Sequence, residues 1–420
     1  MGYDPRTMDG LSGQSLLLLL VALLVIVPLL GIAARWLRLP YTVAFVLFGL
    51  VVSGAFELQS PRIVLEVRPD LVVALLLPGL VFEGAYRLDG AELRRTFWGV
   101  AILAIPGVFI AAAVVAIVLN LAPLPLEQAF IVGAMVSATD PVAVVATMRS
   151  LRAPRRLITL IDAESLFNDG TGILVFTIAL GALGTQTSLT DSAMAFVAGI
   201  AGSIVLGAVS GLLIAWVAAR IDDHRIVLTL TLLAAYGTYF AADSLHASGI
   251  IASVVAGIML GTFGPRFGMS ARTQEAIDTV WEFLAFILTA IAFLLIGVAI
   301  TLESLTAAIG LIAWGVVAVI AGRALVVYGI LGGAARLERA LGLVPSLPTG
   351  WLHVMNWAGL RGAVATALAL SLPVDFPNRT LLQGITFGIV LFTVIVQGVT
   401  AERVVRWSGV DRELTVPAEA

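Results

Sequence analysis

Thirteen apolar stretches, most of them close to twenty residues long, follow one another along the chain, and no other feature limits its fold so strongly. They run over 14–34, 39–56, 71–87, 97–120, 126–148, 157–183, 193–219, 226–245, 248–264, 280–301, 303–332, 350–372 and 382–402. About 20 apolar residues cross a bilayer core as one helix, so the pattern reads as an all-α polytopic membrane protein with thirteen transmembrane helices. The runs are long and unbroken, without the ~10-residue in/out alternation of barrel strands, which excludes a β-barrel. Stretch 71–87 is short and stretch 248–264 is glycine-rich. Only 12% of the 420 residues are charged and 60% are hydrophobic, against about 25% charged in soluble domains. A soluble enzyme, a disordered chain and a nucleic-acid binder are thereby excluded. The first stretch outruns the ~7–15-residue apolar region of a signal peptide, and its leader, Met1–Gly13, is not basic, so it reads as a retained helix. The loops are brief and leave no room for a folded extramembrane domain. Residues 403–420 read as a short cytoplasmic tail.

Arginine placement gives the orientation. The chain has no cysteine, so disulfides and thiolate chemistry are absent, and all 24 of its cationic residues are arginine. With the N-terminus outside and the C-terminus cytoplasmic, thirteen spans put 18 arginines in cytoplasmic loops and four, Arg6, Arg62, Arg68 and Arg379, outside. Arg323 and Arg361 fall within spans. This is the asymmetry of the positive-inside rule. The orientation suits a multi-pass protein of a cell's inner membrane.

Several ionisable residues lie inside spans, where each costs at least ~2.5–3.5 kcal/mol. At 1.5 Å per residue, Asp140 is ~12 Å from its nearer membrane face, Glu164 ~10 Å, Asp169 ~18 Å, Arg323 ~14 Å and Arg361 ~16 Å. Five charges from four spans share one depth band, which points to a site. Glu83 is shallower, ~6 Å deep.

The string Ser137-Ala138-Thr139-Asp140-Pro141 should break its helix, because Pro141 offers no N–H and pushes Asp140 from helical geometry. Freed carbonyls such as that of Thr139 then sit beside a carboxylate, a setting for a hard, dehydrated cation such as Na⁺. On the next span, Ser165 and Asp169 are i, i+4 and share a face, and Glu164 and Asn168 form a second such pair rotated by one residue. One face can hold the ion while the other holds the architecture. Glu164 needs a cationic partner, and depth nominates Arg323 as a structural clamp, because a guanidinium does not give up its proton.

These strings resemble the monovalent cation–proton antiporters, specifically the electroneutral NhaP and sodium/hydrogen exchanger branch. The strings are Leu77-Pro78-Gly79-Leu80-Val81-Phe82-Glu83, Ala138-Thr139-Asp140-Pro141-Val142-Ala143-Val144, Glu164-Ser165-Leu166-Phe167-Asn168-Asp169, Gly322-Arg323-Ala324 and Gly359-Leu360-Arg361-Gly362-Ala363-Val364. They follow the family's order; residue 79 is Gly where members often carry a second Pro. The resemblance implies two inverted six-helix repeats of the NhaA/NapA type, about 14–183 and 226–402, with 193–219 as the linking helix. It implies that spans 5 and 12 are crossed and discontinuous, and that the protein is a homodimer working by an elevator movement. It makes Asp169 the main ion carrier, with Asp140, Glu83, Ser165 and the Thr139 carbonyl completing the cation shell. Asn168 stands where electrogenic relatives carry a second aspartate, which implies exchange of one proton for one cation. Sodium or lithium is the expected substrate, and potassium/proton exchange on the same fold is the alternative. No cofactor and no nucleic acid is implied, only ions and membrane lipids.

Two other membrane functions place acids in helices. An intramembrane aspartyl protease needs Tyr-Asp and Gly-x-Gly-Asp strings, which are missing here. A cation channel needs no coupled carboxylate cluster, and its flux follows voltage. His224, His246 and His353 fall in loops or at span edges, a weak basis for a pure pH sensor.

Overall fold

The computed structural model describes residues 13–37, 39–57, 69–184, 189–340 and 347–412. Most of the leader, Arg6, Arg38, Arg62 and Arg68, and the tail beyond Arg412 lie outside the described residues. Regular structure within them is helical throughout. The α-helices are α1 (Gly13–Leu37), α2 (Tyr41–Glu57), α3 (Pro69–Tyr86), α4 (Gly90–Ala104), α5 (Pro106–Leu121), α6 (Leu126–Met135), α7 (Val142–Ser150), α8 (Arg155–Gly184), α9 (Leu189–Ala218), α10 (His224–Leu232), α11 (Thr238–Ser244), α12 (Gly249–Phe267), α13 (Ala271–Ala299), α14 (Leu302–Ala324), α15 (Gly332–Ala340), α16 (Thr349–Trp357), α17 (Ala363–Leu370), α18 (Arg379–Phe392) and α19 (Gly398–Trp407). Short π-helical segments, Leu233–Gly237, Leu325–Leu331 and Thr393–Gln397, join α10 to α11, α14 to α15 and α18 to α19.

Every one of the apolar stretches is occupied by helix, but they do not all qualify as spans by length and composition. Among the described residues seven continuous helices do: Gly90–Leu121, Phe196–Ala218, His224–Ser244, Gly249–Phe267, Ala271–Ala299, Leu302–Arg336 and Arg379–Trp407. An eighth is counted if Val21–Leu37 and Tyr41–Ala55, which meet at a bend of 117°, are taken as one broken span. The rest fall short for physical reasons. The apolar helices Ala74–Tyr86 and Leu126–Met135 are short, stretches 126–148 and 350–372 are interrupted between α6 and α7 and between α16 and α17, and α8 carries charges in its middle. The protein is an all-helical, multi-pass membrane protein whose least ordinary helices are those that build the site.

Some helices begin before their apolar stretch. Asp89 caps α4, its carboxylate accepting from the N–H groups of Ala91 and Glu92, so the helix starts at Gly90 rather than 97. Ser270 caps α13 in the same way through the Thr273 N–H. Both extensions are polar, which is why an apolarity criterion passes over them.

Helices without a hydrophobic drive to associate pack in lipid through small residues. Gly207 and Gly211 of α9 face Ala252 and Ala256 of α12; a Cβ at Gly211 would lie 2.6 Å from the Ala256 carbonyl oxygen. Gly257 of α12 meets Phe82 and Ala85 of α3 on another face, with a Cβ falling 2.9 Å from the Phe82 carbonyl oxygen. The glycine-rich stretch 248–264 is therefore a helix wedged between two others. Gly49 of α2 and Gly297 of α13 meet likewise, each leaving room for the other's backbone.

Candidate functional site

The site forms where two interrupted helices touch. Residues 136–141 separate α6 from α7, and residues 358–362 separate α16 from α17. The Asp140 N–H donates to the Leu360 carbonyl across the gap at 2.8 Å. Gly362 allows this approach, since a Cβ there would lie 2.7 Å from Asp140 Cγ. Freed backbone groups find other partners, as buried polar groups must. The Thr139 N–H donates to Asn168 Oδ1 (3.2 Å), the Ser165 hydroxyl donates to the Thr139 carbonyl (2.6 Å) and the Arg361 N–H donates to Thr393 Oγ1 (3.0 Å). The N-termini of α7 and α17 both meet Asp140. Its carboxylate accepts the Val142 N–H at 3.4 Å and the Ala363 N–H as well. Two positive helix ends thus face one carboxylate.

On one side of this crossing lies a cavity of about 410 Å³. Asp140, Asp169, Ser165 and Thr139 line its inner end. Asp169 Oδ1 is buried without a hydrogen-bond partner. Such an orphan oxygen is costly unless something else occupies it. The cavity continues past Glu83 to Arg87, Arg149, Asp162 and Glu282. These groups pair with one another: Glu83 with Arg87 (2.9 Å), Arg87 with Glu282 (3.2 Å) and Arg149 with Asp162 (2.9 Å).

On the other side the packing is tight. Glu164 is 1% exposed and forms a bidentate ion pair with Arg323, with Oε2 2.8 Å from Nη2 and Oε1 bonded to Nη1. Arg323 also donates to the Met355 carbonyl from Nε (3.1 Å) and Nη2 (2.8 Å). Asn168 Nδ2 donates to Thr139 Oγ1 at 2.7 Å and to Glu164 Oε1 at 3.5 Å. Arg361, also 1% exposed, donates from Nη1 to the Gly359 carbonyl at 2.8 Å. A void of only about 10 Å³ separates these groups.

The residues singled out in the sequence are thus divided by the crossing. Asp140, Asp169 and Ser165 line the cavity; Glu164, Asn168, Arg323 and Arg361 line the tightly packed cluster; Thr139 lines both. Glu83 lines the cavity farther out, held by Arg87. Glu83, Asp140 and Asp169 do not converge: among the described residues no group of three or more His, Cys, Asp or Glu side chains could hold a metal ion together. Arg87, Arg149, Asp162 and Glu282 were not singled out in the sequence. The i, i+4 spacing of Glu83 and Arg87 was a readable signal, whereas Arg149–Asp162 and Arg87–Glu282 join residues from different helices.

The chain matches the family described as "Sodium/hydrogen exchanger, transmembrane" over residues 19–407. It is 36% identical to the Na⁺/H⁺ antiporter ApNhaP of Aphanothece halophytica, covering 94% of this chain and 75% of that protein. It is 34% identical to the Na⁺/H⁺ antiporter NhaP of Pseudomonas aeruginosa, covering 89% of this chain and 92% of that one. Its fold is similar to that of the sodium proton antiporter MjNhaP1 from Methanocaldococcus jannaschii, with a TM-score of 0.75 at 21% identity, over 95% of this chain and 98% of that one.

Proposed function

The chain belongs to the transmembrane sodium/hydrogen exchanger family, and on that premise we propose that it exchanges one sodium ion for one proton, with Asp140 and Asp169 holding the two in turn. Members of this family are secondary transporters, not enzymes, and the ions they carry are substrates rather than cofactors. The observation that carries the reading is the buried, partnerless Oδ1 of half-buried Asp169, on the same cavity as Asp140. Two carboxylates in a desolvated pocket are poorly tolerated as a bare double negative charge. A proton or a small cation relieves that, and each excludes the other from the same oxygens. Competition alone then couples the two flows.

The remaining roles follow from position. Ser165 and the Thr139 carbonyl supply neutral oxygens, although the Ser165 hydroxyl now spends its proton on that carbonyl. Glu83, farther out and tied to Arg87, would join the cation shell only if Arg87 let go. Glu164, Asn168, Arg323 and Arg361 hold the crossing rigid. Lithium would be accepted by the same oxygens. The Na⁺/H⁺ names of the relatives favour sodium over potassium.

Thirteen crossings, with inverted repeats over about 14–183 and 226–402 and a linking helix at 193–219, are supported by helix on every stretch and by the contact between two interrupted helices, one in each proposed repeat. Residues 1–402 would form the transport domain and 403–420 a cytoplasmic tail. The N-terminus would lie outside, in a cell's inner membrane, with the cavity opening on the arginine-rich cytoplasmic face. A homodimer in which the crossed helices move as an elevator against a fixed scaffold completes the proposal.

The test is a dequenching assay in proteoliposomes. Wild-type protein should collapse a ΔpH when Na⁺ is added, and Asp169→Asn and Asp140→Asn should each abolish the response. Full exchange in either variant refutes the site.

A further inference from the structure

A second, larger cavity, of about 980 Å³, adjoins the first and shares Arg87 and Arg149 with it. Arg152, Arg155 and Arg156 complete its basic lining. For a vestibule next to a cation site this is the wrong sign, since a lining of like charge repels the substrate. Its acidic lining residues are Asp89, Glu92 and Asp162, and each is already engaged. Asp89 caps α4, Glu92 pairs with Arg95 at 2.9 Å and Asp162 pairs with Arg149. Arg152, Arg155 and Arg156 form no ion pair among the described residues, and Arg156 Nε is buried without a partner.

The backbone adds to the excess. Arg155 and Arg156 open α8, a 30-residue helix with no acidic residue in its first turn. Arginines at the positive end of a helix are unfavourable, and the preceding Pro154 brings no capping side chain. Leu157 and Ile158 donate back to the Pro154 carbonyl, and the N–H groups of Arg155 and Arg156, the first of the helix, have no acceptor within it. Orientation in the membrane calls only for arginine on this side, in contact with headgroups; it does not call for three arginines around one concavity, Arg152 and Arg155 exposed and Arg156 half-buried with its Nε unpaired.

We infer that this vestibule binds a phosphate-bearing anion, held by Arg152, Arg155 and Arg156 at the start of α8, which cancels the positive potential at the mouth of the cation path. The geometry suits forked guanidinium–phosphate contacts together with helix N–H groups. The ligand chemistry is the same whether it comes from a lipid headgroup or from a soluble phosphate. Binding is read without transport, so the site stands or falls apart from the exchange reading.

The test uses the purified full-length protein. Pyrophosphate is titrated by calorimetry in neutral detergent, and phosphatidylglycerol retention from mixed phosphatidylcholine nanodiscs is read by native mass spectrometry. Pyrophosphate binding that weakens about tenfold or more in Arg152→Gln/Arg155→Gln/Arg156→Gln supports a soluble anion. Phosphatidylglycerol retention lost in that variant, without pyrophosphate binding, supports a headgroup. If wild-type protein binds neither, or the triple variant binds as wild type does, the inference is overturned. Should the triple variant fail to fold, Arg155→Gln and Arg156→Gln singly, each weakening binding about threefold, carry the same decision.

Discussion

Asp140 and Glu164 are both carboxylates at one helix crossing, and their neighbours separate their parts. Asp140 has backbone N–H groups on one side and open cavity on the other. Glu164 has both oxygens committed to a guanidinium. Removing that guanidinium leaves a buried, uncompensated charge, so Arg323→Ala should destabilise the fold by about 3–5 kcal/mol. A thermal-shift measurement in detergent checks this, and a stable but inactive variant would point to a direct part in transport instead. Gly362 bears on Asp140 differently. Gly362→Ala pushes a methyl group into the Asp140 side chain, so Na⁺-driven ΔpH collapse should fall at least about tenfold, with a lower melting temperature from the overpacking. Wild-type exchange would mean that segments 136–141 and 358–362 need not approach so closely. At this scale the sequence was informative where depth decided the matter: Glu164 and Arg323, 159 residues apart, were paired by distance from the membrane face alone. It was silent on Arg149–Asp162 and Arg87–Glu282. Those pairs depend on how helix ends face one another, which no local spacing encodes.

At the scale of the element, Pro141 announces the break but does not hold it alone. The Asp140–Leu360 bond and the three bonds from Thr139 to Asn168 and Ser165 fix the interruption from outside. Pro141→Ala restores one N–H and removes a helix block, yet leaves those partners in place. It should therefore stay folded and keep part of its activity, with a rate loss well short of that in Asp140→Asn, as measured in proteoliposomes. Helix packing is the more brittle feature. In Gly211→Val the new side chain meets the Ala256 backbone of α12. Overpacking of this kind costs about 1–3 kcal/mol, and the expected result is a lower melting temperature. The bare sequence marked 248–264 as glycine-rich without saying why; the reason is the pair of helices packed on its two sides. It also placed the starts of α4 and α13 too late, because their first turns are polar and are fixed by caps rather than by apolar periodicity.

For the whole molecule, the question is what net charge an exchange cycle carries across the membrane. Asp140 and Asp169 give the site its two acidic groups, and Asn168, uncharged and hydrogen-bonded to Thr139, adds none. Glu164 and Arg323 cancel. In one-for-one exchange the site carries either one proton or one sodium ion, so both loaded forms have the same charge and the membrane potential does no net work over a cycle. A cycle moving one net charge would instead shift its equilibrium by about 2.3 kcal/mol per 100 mV, about fiftyfold. The measurement is the Na⁺ gradient that just balances a fixed ΔpH in proteoliposomes, found with potassium and valinomycin holding the potential at zero and then at 100 mV of either sign. The balance point should stay where the sodium and proton gradients are equal at every potential. A balance point that follows the clamp would sink the one-for-one stoichiometry while leaving the two aspartates as the exchange site, because voltage counts charges and does not identify the oxygens that carry them.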